Sequence, residues 1–264
     1  MSGAAAVRAA SVRRISASHV DDWQGCRARY YERRINRRPE APSFVIARGR
    51  AIDTVLERLV TERLAGQPVR WSELQSWLAW AWSAEMAPVP DGRASNPLEQ
   101  AAAERMLRAL ATATRDWSFV ETQQWYERPL LPGWVLIGQI DAVIQTLEGP
   151  IVVDFKTSEK PWDSRKLLGQ RQPPLYGALH MEAHGVLPRA LWFVVATPDG
   201  TATRYEAPVS LDGVERALAV VRRVAGEVEQ ALETGEFGRG PQCRFCPWAD
   251  QGGCLPAGVP GDAR

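Results

Sequence analysis

Two aspartates that break otherwise apolar, strand-like runs constrain this chain more than any other feature. Residues 134–147 and 150–156 carry the residue types and alternation of strands, with the turn Glu148-Gly149-Pro150 between them. Asp141 falls inside the first run, in Gly138-Gln139-Ile140-Asp141. Asp154 falls near the end of the second, in Val152-Val153-Asp154-Phe155-Lys156. A carboxylate inside a sheet costs several kcal/mol unless it is paired or holds a cation. A hairpin with that turn brings the two acids near each other, and two like charges close together favour protonation of one. A hard divalent cation such as Mg²⁺, bound through oxygen ligands, removes the conflict. Alternation along a strand puts Asp154 and Lys156 on one face, so an ammonium stands beside that cation. Together these are the parts that phosphodiester cleavage needs: a cation on a non-bridging oxygen, an activated water and a positive neighbour.

The distribution of basic residues adds to this. Of 32 Lys and Arg residues, three are lysines, Lys156, Lys160 and Lys166, all in one short stretch. In a chain that supplies positive charge with arginine, a lysine at position 156 suggests a need for a compact, deprotonatable ammonium. The net charge of +1 argues against binding nucleic acid by bulk charge, but the stretch from Arg8 to Arg38 is strongly basic. Arg27, Arg29, Arg33 and Arg34 are candidate phosphate contacts there, against the alternative of a solvated, charged helix.

The 264 residues, 45% apolar and 24% charged, have the composition of an ordinary soluble globular protein. No apolar run is long enough to span a bilayer and the start lacks a secretory core, so a cytoplasmic protein without membrane attachment is expected. Residues 1–14 read as a disordered start. Ser16-Ala17-Ser18, with Asp21 three residues on, reads as the N-cap of a helix running through Cys26 and Tyr31. Helices over 47–65 and 97–117 flank a stretch containing Trp71, Trp77, Trp80 and Trp82, a set that reads as core before it reads as a base-stacking platform. Strands are expected over 119–130, 134–147, 150–156, 191–197 and 201–207, and helices over 167–184 and 211–233. The order gives an α/β fold with helices on the faces of a mixed sheet, a helical insert at about 67–118, a catalytic core at about 119–210 and a Gly-, Pro- and Cys-rich tail over 241–264. His180 and His184 stand one helical turn apart without a motif, and His19 has none either.

Four cysteines remain. Cys243, Cys246 and Cys254 cluster in the tail and Cys26 lies on the first helix, a set that reads as one Cys₄ site holding either Zn²⁺ or a [4Fe–4S] cluster. Such a site would be completed by Cys26 and would tie the tail over 241–264 to the first helix of a domain over 15–240.

Gly-x-x-Asp, a hairpin, apolar-apolar-Asp-x-Lys-Thr and then Gln172-Pro173-Pro174-Leu175-Tyr176 resemble the PD-(D/E)XK nuclease superfamily, whose fold is restriction-endonuclease-like. Within it the resemblance is to the RecB-like branch that includes the CRISPR-associated exonucleases, over about residues 15–60 and 119–260. The resemblance implies that Asp141, Asp154 and the backbone carbonyl of Phe155 bind Mg²⁺ or Mn²⁺, that Lys156 serves the attacking water, and that Gln172 and Tyr176 support the site or the DNA. Where the family shows Gly-x-x-x-His on an early helix, this chain has Gly49-Arg50-Ala51-Ile52-Asp53, so Asp53 takes the histidine's place as a candidate ligand. The setting Cys26…Tyr30 with three late cysteines resembles iron–sulfur members of the branch and favours [4Fe–4S] over zinc; the proline usual after the first cysteine is Arg27 here. The expected activity is exonucleolytic action on single-stranded DNA ends in recombination, repair, CRISPR adaptation or phage DNA metabolism, with a helicase among the partners such a domain serves. The alternative is a non-catalytic DNA-binding or adaptor protein that keeps the fold and the cysteine site.

Overall fold

The computed structural model of the chain describes residues 12–40, 42–240, 246 and 248. The expected strands form where the alternation places them: β2 (Phe119–Leu131), β3 (Trp134–Thr146), β4 (Gly149–Thr157), β5 (Ala190–Ala196) and β6 (Ala202–Pro208). A short strand that periodicity does not reveal, β1 (Arg13–Ile15), joins them, so Arg13 and Arg14 do not belong to a disordered start; residues 1–11 lie outside the described residues. The sheet is six-stranded and mixed, in the order β1-β3-β4-β5-β6 with β2 on the other edge of β3. β4 and β5 run parallel, β1 runs parallel to β3, and the remaining pairs are antiparallel.

Helices cover both faces, as an α/β sheet whose strands are apolar on both sides requires. On one side α3 (Phe44–Leu64), α4 (Trp71–Met86) and α5 (Pro97–Ala113) bury Ile52, Leu56, Leu78 and Met106 against Ile144, Val153 and Val194. On the other, α1 (Ala17–Gly25), α7 (Gln172–His184) and α8 (Leu211–Thr234) bury Val20, Leu179 and Val224 against Ile140, Val152 and Phe193. The tryptophans of the helical insert divide between core and surface. Trp82 is buried and Trp71 and Trp77 pack against the core, while Trp80 is 69% exposed.

Two helices differ from expectation. The helix expected to run through Cys26 stops at Gly25, because Cys26 is extended (φ −169°, ψ 114°), and a short α2 (Arg27–Tyr30) and a π-turn follow. The cause is tertiary: residues 238–240 cross at this point, and a Cβ on Gly240 would overlap the Gly25 carbonyl and the Cys26 Cα. Ser16 does precede α1 but makes no side-chain cap; its Oγ lies 2.6 Å from His19 Nδ1 instead. The helix expected over 167–184 is two pieces, α6 (Ser164–Leu168) and α7, since Pro173 and Pro174 suit only the first turn of a helix and so fix a new start at Gln172.

Candidate active site

The site follows from an opening in the sheet. One edge of β3 pairs with β2 along nearly its whole length. The other edge pairs with β1 at residues 134–136 and with β4 from Ala142 onward, so no strand pairs with residues 137–141 there. Asp141 sits at the end of this gap. The β3–β4 pairing ends at Ala142↔Val153, next to Asp141 and Asp154, and both acids line the cavity that opens there. From Asp154 onward β4 continues only alongside β5, as far as Thr157. The Phe155 N–H, released from β3, donates to Asp141 Oδ2 at 2.8 Å. Toward β2 the ladder is also broken: Gln123 adopts a left-handed backbone (φ 48°), and the Asp141 carbonyl accepts instead from Thr122 Oγ1 at 3.1 Å. A non-glycine residue held at positive φ stores strain on the order of 1–3 kcal/mol.

Asp154 is 1% exposed. Its Oδ1 accepts from Gln172 Nε2 at 2.8 Å, and the same amide group donates to the Tyr176 hydroxyl at 3.1 Å. Its Oδ2 forms an ion pair with Lys156 Nζ but receives no aligned hydrogen bond. Gln172 reaches it because α7 packs directly on β3: a Cβ at Gly138 would lie 2.6 Å from Leu179 and 3.1 Å from Tyr176. Gly49 plays a similar part for α3, where a Cβ would meet Thr157 Oγ1 at 3.3 Å. That approach brings Asp53, one turn along α3, into the electrostatic field of Asp154 and Lys156.

Burial raises the pKa of all three acids. For Asp141 the effect is large, reinforced by Asp154 and Asp53 and opposed by Lys156 and the Phe155 N–H. Asp154 is raised by burial against the pull of Lys156 and Gln172. Asp53 keeps accessible surface but is hemmed in by protein, and desolvation pushes it up to about 7, with Lys156 opposing and Asp154 adding. Lys156 moves the other way from a lysine poised to lose a proton. Burial alone would lower its pKa, but Asp154 and Asp141 outweigh that and hold it above the ordinary lysine value.

An oxygen-only donor set and three neighbouring acids whose charged forms are penalised together fit a hard divalent cation. Lys156 stands beside Asp154, and among the described residues no three His, Cys, Asp or Glu side chains converge at ligating distance.

Asp141, Asp154 and Lys156 line a cavity of about 510 Å³, whose walls do not include Asp53. Its walls include residues without a sequence motif: Ser16 and His19 at the start of α1, Trp125 on β2, and Arg171 beside α7. Sequence spacing could not reveal them, because the parallel pairing of β1 with β3 carries the start of α1 to the gap from more than a hundred residues away. His19 is neutral near pH 7, its pKa lowered to about 4 by desolvation and by Arg34 against the pull of Asp22. Of the four candidate phosphate-binding arginines, Arg34 lines the cavity, and its guanidinium already meets Asp22. Arg33 pairs with Asp22 and Glu40, and Arg27 pairs with Glu227 and stacks on Trp23. Arg29 is half-buried, with its Nε enclosed and without a hydrogen-bond partner among the described residues. The basic run is thus largely neutralised from within. His180 and His184 stack 4.5 Å apart, His180 facing the Val186 carbonyl and His184 facing Glu121, an arrangement that packs α7 on β2.

Cys26 is buried and its Sγ accepts from the Gly240 N–H at 3.3 Å; the Ala28 N–H donates to the Gly238 carbonyl at 3.2 Å. The chain therefore returns to Cys26 just before the cysteine tail. Cys246 is partly exposed, and Trp248 donates to the Pro39 carbonyl at 3.3 Å. Cys243 and Cys254 lie outside the described residues.

No curated protein matches the chain in sequence. Among solved structures, a Eubacterium rectale protein provisionally named an exonuclease is similar at 15% identity and a TM-score of 0.58, over 98% of this chain and 97% of that one. A protein named SSO0001 is similar at 16% identity and a TM-score of 0.39, over 83% and 89% of the two chains. LHK-Exo, solved with dAMP, is similar at 14% identity and a TM-score of 0.35, over 70% and 93%. At those last two TM-scores the likeness carries no weight, whereas the first is a likeness of the whole fold. The sequence profile of the PD-(D/E)XK nuclease superfamily matches residues 14–251, which takes in most of β1, the gap in β3, and Asp141, Asp154 and Lys156. Matched over most of its length and carrying the paired acids and lysine where the sheet opens, the chain belongs to the PD-(D/E)XK nuclease superfamily.

Proposed function

We propose that this nuclease is a Mg²⁺- or Mn²⁺-dependent deoxyribonuclease that removes nucleotides from single-stranded DNA ends. The observation that carries the reading is the gap in β3, where Asp141, Asp154 and Lys156 meet at the floor of an open cavity. A cation held by Asp141, Asp154, Asp53 and the Phe155 carbonyl would polarise the scissile phosphate and acidify a water. Gln172 holds Asp154 by its Oδ1 and leaves Oδ2 for other partners, and Tyr176 backs the amide. Lys156 stands beside the two carboxylates, where its ammonium would place positive charge against the phosphate oxygen and serve the attacking water. Recombination, repair, CRISPR adaptation and phage DNA metabolism all call for such an activity, with a helicase as a natural partner; no helix among the described residues is long and apolar enough to cross a membrane.

The test is degradation of end-labelled single-stranded DNA with Mn²⁺ or Mg²⁺. The wild type should shorten the strand and Lys156→Ala should fall at least 100-fold. A wild type that binds the strand and never shortens it would instead establish the non-catalytic adaptor reading.

A second part of the proposal concerns the cysteines: Cys26, Cys243, Cys246 and Cys254 hold a structural [4Fe–4S] cluster, with Zn²⁺ as the alternative. The return of Gly238–Gly240 to Cys26 supports it, since this brings the tail back to the first cysteine. Anaerobic purification with an absorbance spectrum and iron and zinc assays decides between the two metals, and protein free of both removes the proposal.

A further inference from the structure

We infer that Trp125 is a stacking platform for the base of an unpaired nucleotide, and so a specificity-determining residue; this rests on the nuclease reading. Trp125 pairs with Gln139 across β2 and β3, and the two therefore share a face of the sheet. Its indole lines the same cavity as Asp141, Asp154 and Lys156 while remaining 63% exposed. Trp80, the other strongly exposed tryptophan among the described residues, lies on α4 away from this cavity. No ring or guanidinium packs against the Trp125 ring among the described residues, unlike Trp71, Trp77, Trp117 and Trp192. A large apolar face left open to water contributes little to folding. Beside a phosphodiester-cleaving centre, what it can cover is a nucleobase.

The rest of the cavity wall suits the remainder of a nucleotide. Arg34 and Arg171 bring guanidinium groups, although Asp22 and Asp21 already pair with them, and Gln139 and Gln170 bring amides. In a duplex both faces of a base are covered by its neighbours. At a duplex end only the outer face of the terminal pair is open and it is held in the pair, whereas an unpaired nucleotide can turn a face onto Trp125 freely, and any base can do so, since each has a π-surface. The platform therefore selects for an unpaired end without selecting its sequence.

The experiment compares wild type, Trp125→Ala and Trp125→Phe on two single strands, one with ordinary terminal nucleotides and one with abasic terminal residues. Cleavage is followed with Mn²⁺, and binding is followed separately by fluorescence anisotropy in EDTA. Trp125→Ala should raise KM and weaken binding about tenfold on the ordinary strand, change kcat little, and have almost no effect on the abasic strand. Trp125→Phe, which keeps a stacking face, should recover most of the loss. Equal losses on both strands, or no loss on either, overturn the inference while leaving the nuclease reading intact. If the wild type binds but never cuts, a Trp125-dependent preference for the ordinary strand in anisotropy still upholds the platform. Absence of binding to either strand overturns it.

Discussion

At the scale of single residues, the site depends on side chains that would be unfavourable anywhere else in the sheet. Asp154 is buried with one oxygen held by Gln172 and the other facing Lys156. Gln172 does not itself provide charge, so it is a positioning residue. Gln172→Ala should lower kcat about 10- to 100-fold with little change in KM, as loss of a group that orients a metal ligand usually does, and Gln172→Glu should not restore it because two carboxylates would then face each other. Gly138 is needed for a different reason. Gly138→Ala forces a methyl against Leu179 and Tyr176, and thermal or urea unfolding should show a loss of about 1–3 kcal/mol together with reduced cleavage. A Gly138→Ala protein of wild-type stability would mean that α7 is free to shift away from β3.

Among the elements, β3 is the one whose neighbours decide the chemistry. Its partners on one edge stop short of each other, and β2 on the other edge carries Gln123 in a left-handed conformation next to Asp141. Glycine accepts that conformation freely and a β-branched residue does not. Gln123→Gly should therefore leave the melting temperature unchanged or higher, whereas Gln123→Val should lower stability by about 1–3 kcal/mol; equal melting temperatures for the two variants would argue that the strain is not real. The break of the first helix at Cys26 has the same kind of origin, a passing segment at Gly238–Gly240 rather than any local preference.

For the whole molecule, the cluster of acids sets a pH dependence, and the proposed cation would add a metal dependence. A carboxylate whose pKa is raised on folding binds more protons in the folded than in the unfolded chain, so its contribution to stability falls as pH rises from its unfolded value toward its folded one. For Asp53 that window runs from about 4 to 7. His19 and His180, held low, oppose this trend below about pH 6.5, so the comparison is best made against a variant. Metal-free Asp53→Asn should melt above wild type at pH 8 and close to it at pH 5. Mn²⁺ should raise the wild-type melting temperature more at pH 8 than at pH 5.5, because the ligands must shed protons to bind, and should raise that of Asp53→Asn less. An Mn²⁺ shift that is the same at both pH values would place the ion elsewhere.

What could be read from the sequence was whatever depends on short-range pattern. Alternation located five of the six strands, and the helices, Asp141, Asp154 and Lys156 followed from apolar periodicity interrupted by charge. The three-residue β1 is too short to leave a period, and the split of α6 from α7 depended on how a Pro-Pro pair would be used. Only the tertiary structure decided that β1 and β4 would leave part of β3 open. It also decided that Ser16, His19 and Trp125 would face that opening, and that the basic run near the start would be neutralised by Asp22, Glu40 and Glu227. The physical reason is range. Periodicity records which face of an element is buried, but strand pairing and ion pairing join residues far apart in the chain, and no local pattern encodes which of them will meet.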